Sequence, residues 1–309
     1  MAPHVRILMA TFQGATHLPA QLASFEAQSH ADWSLWASDD GSTDATPDLL
    51  RAFAARHPGR VRLIDGPRKG SAANFLHLLG HPELPPGPVA LSDQDDVWLP
   101  HRLARGLQQL SGDGTRPNVY ASRTIRTDAD LRPLSPSVRH PRPPSFRNAL
   151  VQNILAGNTL MLDAPALALL RATIPATRDA GVRHHDWWVY LVAAGAGARI
   201  VNDDEPGLLY RQHGANLMGA HQGPGAALAR LRTLRARAFA DWITRNLAAL
   251  QAVAPLLTPQ ARADLDAFAR LRAARNPLAR ALSLHRAGLH RQSVKGQASL
   301  LGLAAMGWL

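Results

Sequence analysis

The chain of 309 residues contains no cysteine. Disulfides, thiolate metal sites, iron–sulfur clusters and cysteine nucleophiles are therefore excluded. The sequence also lacks any run near the roughly 18 consecutive apolar residues that a membrane-spanning helix needs, and its first ten residues lack the apolar stretch of a secretory signal. These absences favour a soluble or peripherally bound protein, and they fit a reducing compartment.

Acidic residues are scarce in only one part of the chain. The net charge is +11, yet residues 1–220 contain 21 Lys or Arg and 20 Asp or Glu, whereas residues 221–309 contain 13 and three. We therefore expect an electrostatically balanced body over 1–220 and a basic helical region over 221–309. A nucleic-acid-binding protein is disfavoured, because the surplus charge is confined to this second region and no recognition motif accompanies it.

Short apolar runs alternate with helical patterns in the first 100 residues. Strands are predicted over residues 5–10, 33–38, 61–64 and 88–92. This alternation is typical of a parallel sheet with helices on its faces, in which ligands bind beyond the carboxyl ends of the strands. Polar clusters follow three of the strands, at Thr11–Gln13, Asp39–Asp44 and Asp93–Asp96. We expect these clusters to converge on one edge of the sheet.

The rest of the chain carries fewer signals of regular structure. Five prolines lie within residues 133–144, which predicts a surface loop. Apolar residues at helical spacing predict a helix that includes Leu231 to Leu250. A further helix is predicted to begin at Thr258-Pro259, with Thr258 as its N-cap.

Asp93 and Asp95 place two carboxylates at the end of the fourth strand. Carboxylate oxygens suit a hard cation such as Mg²⁺, which keeps one or two protein carboxylates and binds substrate phosphates as well. An isolated pair of this kind is more often an acidic loop or a helix cap, but its position at the strand end favours a metal site. After the second strand, Asp39-Asp40-Gly41 offers an acceptor for a nucleobase N–H, although a turn capped by Ser42 or Asp44 is equally compatible.

Asp186 lies within His185-Asp186-Trp187-Trp188. A partly desolvated carboxylate suits a general base, and the indole faces suit stacking on a sugar ring. The alternative is that both Trp residues belong to the core and Asp186 caps the following helix. His213 is a candidate third metal ligand as a neutral imidazole, and Arg211 is a candidate for binding a diphosphate.

In their order along the chain, these motifs resemble glycosyltransferase family 2, and within it the bacterial rhamnosyltransferase-type enzymes. The resemblance covers roughly residues 4–220. It rests on the segments Ile7–Gly14, Asp39–Asp44, Gly70–Phe75, Ser92–Trp98, Gly157–Thr159, His185–Trp188 and Tyr210–Asn216. It implies the α/β GT-A fold, with a Rossmann-like, mixed but mainly parallel sheet flanked by helices, followed here by a C-terminal helical region.

The resemblance also implies an activity. Such an enzyme transfers a sugar with inversion from a nucleotide-diphosphate donor to a saccharide or lipid-linked saccharide acceptor in cell-surface polysaccharide synthesis. It needs a divalent cation, magnesium or manganese. The best expectation for the donor is dTDP-rhamnose; the alternatives are another UDP- or dTDP-sugar, or a non-catalytic module that only binds sugar nucleotides. The expected location is the cytoplasm, where the basic region either contacts the inner face of the plasma membrane or forms a solvated helical cap.

Individual roles are carried over only onto matching positions. Asp186 is the implied catalytic base, and the implied metal ligands are Asp93, Asp95 and His213. The implied contacts to the nucleotide sugar are Thr11, Gln13, Asp40, Asn74, Asp93 and Arg211. Aromatic contacts to the acceptor are expected from Trp98, Trp187 and Trp188. Phe12-Gln13 stands where many relatives have Tyr-Asn, which weakens the role assigned to Gln13.

Overall fold

A computed structural model describes residues 3–112, 114–212 and 225–309, with side chains from residue 237 onward in the last range. The strands in these ranges are β1 (Val5–Thr11), β2 (Trp33–Asp39), β3 (Val61–Asp65), β4 (Val89–Ser92), β5 (Val97–Trp98), β6 (Asn118–Thr127), β7 (Pro133–Pro136), β8 (Met161–Leu162) and β9 (Arg199–Arg211). The four strands expected in the first 100 residues are confirmed, each to within one residue at either end.

The strands form a single sheet in the order β3-β2-β1-β4-β8-β6-β9-β5, and β7 pairs with β6. Strands β1 to β4 pair in parallel. Strand β8 runs antiparallel to both of its neighbours, β6 and β9 pair in parallel, and β5 runs antiparallel to β9. The expectation of a mixed, mainly parallel sheet is confirmed.

Helices cover both faces of this sheet. They are α1 (Leu18–Glu26), α2 (Thr46–Arg56), α3 (Ser71–Leu79), α4 (Arg102–Leu110), α5 (Phe146–Ala149), α6 (Ala164–Ala180), α7 (His185–Gly195), α8 (Gly225–Ala252), α9 (Pro259–Ala273), α10 (Pro277–Arg286) and α11 (Val294–Met306). In the described ranges, none of them combines the length and the apolar character that a membrane crossing needs.

Alternation along β1 separates the core into two layers. Ile7 and Met9 pack on one face with residues of α1, α2 and α4. Leu8 packs on the opposite face with residues of α3, α6 and α7. Because β1 is buried on both faces, its sequence is nearly all apolar, as expected for a central parallel strand.

The proline-rich segment is not a loop over its whole length. Residues 133–136 form strand β7, whose pairing with β6 aligns Ile125 with Pro136 and Thr127 with Pro133. Proline lacks the N–H that a central strand must donate, so it is tolerated only on an edge strand such as this one. The expectation of a loop was wrong for these four residues, because neither face of this strand is buried and its sequence therefore shows no alternation of apolar and polar residues.

The C-terminal helices share a core with the sheet. Helix α9 begins at Pro259 and is capped by Thr258, whose hydroxyl accepts from the backbone N–H of Ala261 at 3.1 Å, as the sequence predicts. Phe268 on α9 is fully buried in the same apolar cluster as Trp188 on α7. Residues on both sides of the expected boundary at 220 therefore pack together.

Replacing Phe268 by Ala is expected to lower the free energy of unfolding of the whole chain by about 3–5 kcal/mol, because a buried aromatic ring is lost from the shared core. The measurement is urea unfolding followed by tryptophan fluorescence. Arg270→Ala, at an exposed position on the same helix, serves as the control. Two separate transitions, with the change confined to one of them, would show instead that the C-terminal helices unfold as an independent unit.

Candidate active site

The sheet brings the polar clusters of β1, β2 and β4 to one edge. In the β1–β2 register Thr11 is aligned with Asp39, and Met9 is aligned with Ser92 at the end of β4. The Thr11 hydroxyl donates to Oδ1 of Asp39 at 2.9 Å. The convergence expected from the sequence is confirmed, since these three strands are adjacent and parallel.

Three carboxylates crowd together immediately after β4. Asp93, Asp95 and Asp96 each present an oxygen within 4.8 Å of the other two. Asp96 is only 1% exposed, and its Oδ2 accepts from the amide of Asn158 at 2.6 Å. Its Oδ1 is buried and has no hydrogen-bond partner among the described residues. The sequence singled out the first two carboxylates and assigned no role to the third.

Burial and nearby charges raise the pKa values of two of these acids, Asp93 and Asp96. Burial, together with the charges of Asp96, Asp95 and Asp186, raises the pKa of Asp93 well above its usual range. Burial and the charge of Asp95 raise the pKa of Asp96 to about 7. The guanidinium of Arg102, 1% exposed, opposes both shifts. Without a cation, Asp93 and Asp96 therefore tend to retain protons, whereas a cation bound at the cluster would favour their ionised forms.

This donor set fits a hard divalent cation. All three side chains offer oxygen, which is the ligand that Mg²⁺ and Mn²⁺ prefer. The Oδ1 of Asp96 is a buried acceptor without a hydrogen-bond partner among the described residues, and a bound cation would stabilise it. Mutual repulsion among the carboxylates is relieved when a cation binds between them.

Gln94, between the first two acids, ties their loop to the end of β1. Its Oε1 accepts from the backbone N–H of Phe12 at 2.8 Å, and its Nε2 donates to the carbonyl of Phe12 at 2.8 Å. A Cβ on Gly14 would lie 2.2 Å from that Oε1. Gly14 is therefore needed so that the Gln94 side chain can reach the β1 backbone.

The two adjacent aspartates after β2 play different parts. Asp39 accepts from the hydroxyls of Thr11 and Ser42 and from the backbone N–H groups of Gly41 and Ser42, which fixes the turn. Asp40 is buried, and its two oxygens accept from the backbone N–H groups of Arg68 and Gly70 at 2.6 and 2.7 Å. Each oxygen of Asp40 retains a lone pair, and its contact with a nucleobase stays a prediction.

Three other residues assigned to the nucleotide sugar hold the backbone of the site. Gln13 bonds through its side chain to Thr43 and to the N–H of Asp44. Asn74, 1% exposed, uses both amide atoms on Ser38. Arg211 donates from Nε to the carbonyl of Asp95 at 3.1 Å. Direct contact of any of these side chains with a ligand stays a prediction, and for Asn74 it would require an existing hydrogen bond to be exchanged.

Asp186 lies in the first turn of α7, and its Oδ1 accepts from the backbone N–H of Trp187 at 2.7 Å. Its charge contributes to the raised pKa of Asp93, so it lies close to the acidic cluster. A Cβ on Gly157 would lie 3.3 Å from the Cβ of Asp186 and 2.6 Å from Nε2 of His185. Burial lowers the pKa of His185 to about 4, so this imidazole beside Asp186 is neutral at physiological pH.

The three tryptophans assigned to the acceptor lie in the core instead. Trp98, Trp187 and Trp188 are 2%, 4% and 0% exposed. The indole N–H of Trp187 donates to the carbonyl of Ala149, and that of Trp188 donates to the hydroxyl of Thr173. The expectation of stacking on an acceptor is corrected, because no ring face is open to a sugar. The alternative reading, with both adjacent rings in the core, agrees with the structure.

His213, the third expected metal ligand, lies outside the described residues. Sequence reasoning missed the parts played by Asp96, Asn158 and Arg102. The sequence indicates these parts only weakly. Asp96 continues the acidic run that begins at Asp93, and no local pattern links Asn158 or Arg102 to that run. Tyr210, next to Arg211, also lies near the cluster, since burial and the three carboxylates raise its pKa to about 12.

Comparison with known proteins identifies the family. Residues 6–172 match the sequence profile described as Glycosyl transferase family 2. The chain belongs to this family. It is 26% identical over 260 residues to the dTDP-rhamnosyl transferase RfbG of Shigella flexneri, an alignment that covers 78% of this chain and 84% of the relative.

Solved structures agree on the fold. A mannosyltransferase from Pyrobaculum calidifontis, determined in complex with GDP-Man and Mn²⁺, is 18% identical, with a TM-score of 0.50 over 99% of this chain and 86% of its own. S. aureus TarS 1-349, determined in complex with UDP-GlcNAc, is 13% identical, with a TM-score of 0.50 over 99% and 92%. The chain is thus a family 2 glycosyltransferase with the GT-A fold.

Replacing Gln94 by Ala is expected to lower the rate of sugar transfer at least about tenfold, because two hydrogen bonds that fix the acidic loop are lost. Unfolding stability should fall by only about 1–3 kcal/mol. The measurements are steady-state transfer with the donor that the wild type uses, and urea unfolding.

Gln108→Ala, at an exposed glutamine on α4, is the matched control and should transfer at the wild-type rate. If the Gln94→Ala protein transfers sugar at the wild-type rate, the two hydrogen bonds between Gln94 and the Phe12 backbone do not position the acidic residues.

Proposed function

We propose that this glycosyltransferase moves a sugar with inversion from a nucleotide-diphosphate donor to a hydroxyl of a saccharide or lipid-linked saccharide in cell-surface polysaccharide synthesis. One observation carries the proposal: the segment Gly157-Asn158 joins Asp186 at the start of α7 to the acidic cluster after β4. Asn158 donates to Asp96, and a Cβ on Gly157 would lie 3.3 Å from the Cβ of Asp186. A transferase of this kind needs these two elements on either side of the reacting carbon.

Asp93 and Asp95, joined by Asp96, would hold a divalent cation, either magnesium or manganese. When bound, such a cation supplies charge neutralisation for the departing diphosphate. Side chains of the protein position these carboxylates. Gln94 bonds to the backbone of Phe12, and Arg211 donates to the carbonyl of Asp95.

Asp186 acts as the general base. It takes the proton from the acceptor hydroxyl while that oxygen attacks the anomeric carbon opposite the leaving diphosphate, so one C–O bond forms as the other breaks. The first turn of α7 fixes the position of this carboxylate, because the backbone N–H of Trp187 donates to its Oδ1. The neutral imidazole of His185 next to it adds no competing positive charge.

The donor is proposed to be dTDP-rhamnose, with support from the 26% identical relative, which is named a dTDP-rhamnosyl transferase. Another UDP- or dTDP-sugar is the alternative. Asp40 is proposed to bind the nucleobase and Thr11 to lie against the nucleoside, because both lie at the carboxyl edge of β1 and β2. A non-catalytic binding module is disfavoured, because it would need neither Asp186 nor the crowded carboxylates.

The test is a calorimetric screen of nucleotide sugars against the wild type and Asp186→Asn, with and without Mg²⁺ or Mn²⁺. We expect one donor to bind both proteins equally well, and more tightly with the cation. Transfer by Asp186→Asn should fall about 10²- to 10⁴-fold, which is the usual contribution of a general base.

Asp179→Asn, at an exposed aspartate near the end of α6, controls for the loss of one negative charge. Absence of donor binding under every metal condition would refute the catalytic proposal. An equal loss of donor binding and turnover in Asp186→Asn would remove the base assignment alone.

For the basic region we propose contact with the anionic inner face of the plasma membrane, in a cytoplasmic protein. Leu278 and Leu282 on α10 are 67% and 48% exposed. Arg286 continues the same helical face four residues later, and Arg275 precedes the helix; both are exposed. Exposed leucines beside arginines suit a surface of anionic lipids. The helical cap remains the competing interpretation, since α9 to α11 also pack on the core.

The double variant Leu278→Glu/Leu282→Glu is expected to lose sedimentation with vesicles that contain phosphatidylglycerol, because it replaces the apolar contact with negative charge. Leu134→Glu, at an exposed leucine on β7, should sediment like the wild type. If the wild type shows no salt-sensitive vesicle binding, the region is only a cap.

A further inference from the structure

A short turn, Gly157–Thr159, lies between the acidic cluster and the proposed base. On one side, the amide of Asn158 donates to Oδ2 of Asp96 at 2.6 Å. On the other side, a Cβ on Gly157 would lie 3.3 Å from the Cβ of Asp186. Adjacent residues of one turn therefore contact the two parts of the site that must act on opposite sides of the transferred sugar.

The turn is fixed to the strand that leads into the acids. The backbone N–H of Leu91 on β4 donates to the carbonyl of Leu160, the residue after the turn, at 2.9 Å. The backbone N–H and the hydroxyl of Thr159 both donate to the carbonyl of Ala156, at 2.9 and 2.7 Å. Because these bonds close the turn and join it to β4, the turn keeps a constant position relative to the acids that follow that strand.

Helix α7 limits the turn on its other side. A Cβ on Gly157 would lie 2.6 Å from Nε2 of His185, which is closer than two such atoms can approach. His185 is 8% exposed, and its ring stacks on that of Phe75, with 4.0 Å between the ring centres. The imidazole therefore has little room to withdraw, and Gly157 is required for the turn to pass this close to α7.

The bond between Asn158 and Asp96 joins two buried side chains, which are 5% and 1% exposed. Like charges repel each other strongly in a buried site, so a carboxylate in this cluster needs a donor that holds it in one orientation. An amide supplies that donor without a positive charge, whereas a lysine or arginine in the same place would compete with a bound cation. Asparagine at this position thus suits a residue that orients an acid and leaves the cation affinity of the site intact.

We propose that Asn158 is a positioning residue, an assignment that rests on the transferase function proposed above. Its amide fixes the Asp96 carboxylate, and its place in the turn sets the separation between the acidic cluster and Asp186. The leaving diphosphate and the acceptor hydroxyl are thereby kept at one distance from each other. Asn158 acts through Asp96 and needs no contact with either substrate.

Binding of Mn²⁺ alone to the full chain tests this, with unbound Mn²⁺ measured by electron paramagnetic resonance. Asn158→Leu keeps the size of the side chain but removes the donor. We expect it to weaken Mn²⁺ binding about 10- to 100-fold, which is the usual effect of losing a residue that orients a metal ligand. At saturating Mn²⁺ its kcat should remain below that of the wild type, because the separation from Asp186 is no longer fixed, whereas the KM for the nucleotide sugar should change little.

Asn118→Leu is the matched control. Asn118 is also 5% exposed, and its amide donates to a carboxylate, that of Asp163, at 2.7 Å. Asp163 caps α6 and follows Leu162, which pairs with Val89 at the start of β4, away from the acids. The two leucine variants should lose similar stability toward urea, but Asn118→Leu should bind Mn²⁺ and transfer sugar like the wild type.

Gly157→Ala tests the same turn from the side of α7. Its methyl group crowds His185 and Asp186, so we expect kcat to fall at least about tenfold, with Mn²⁺ affinity close to the wild-type value. If Asn158→Leu does not fold, this variant decides, and a wild-type kcat would overturn the proposal.

The proposal is also overturned if Asn158→Leu binds Mn²⁺ and transfers sugar like the wild type, or if Asn118→Leu loses both to the same degree, since the effect would then be one of stability alone. In both cases the transferase proposal stands. If the wild type binds no nucleotide sugar with or without Mn²⁺, the transferase proposal fails and the positioning role fails with it.

Discussion

Repulsion among three carboxylates at the end of β4 is the constraint around which this site is organised. Two neutral amides and two guanidinium groups surround the acids. Gln94 anchors the loop to β1, Asn158 holds Asp96, and Arg211 holds the Asp95 carbonyl. The buried guanidinium of Arg102 partly offsets the rise in the pKa values of Asp93 and Asp96. The protein thereby keeps three acidic side chains together at a site that a cation can complete.

The sequence was sufficient for whatever depends on local pattern. Alternating apolar runs located β1 to β4, and parallel topology then placed Thr11, Asp39 and Asp93 at one edge. The Thr258 cap was readable because capping is decided within three residues. By contrast, the sequence could not decide the role of Trp187 and Trp188, because a Trp next to a proposed catalytic acid can face either a ligand or the core. In the structure Trp187 stacks on Phe239. Contacts between distant segments, such as Asn158 with Asp96, had no local signal.

The change in charge near residue 220 does not coincide with a boundary in the hydrophobic core. By composition the chain changes character near residue 220, yet the apolar cluster that contains Trp188 extends into α9, α10 and α11. Polar contacts join the regions as well: Arg147 forms a bidentate ion pair with Asp264, and Asn148 donates to the carbonyl of His290. The surplus positive charge is thus displayed on helices whose inner faces complete the transferase core, so that any surface bound by those helices is held in a fixed orientation to the active site.

The contact between Gly14 and Gln94 restricts how this sequence can change. Any side chain at Gly14 collides with the Gln94 amide, and a shorter or apolar residue at Gln94 leaves the Phe12 backbone without its partners. Neither position can therefore vary freely by itself, although Phe12 and Gln94, which the hydrogen bonds join, lie 82 positions apart. Replacing the acidic segment after β4 by a different one would therefore require the segment after β1, which contains Phe12 and Gly14, to be replaced with it.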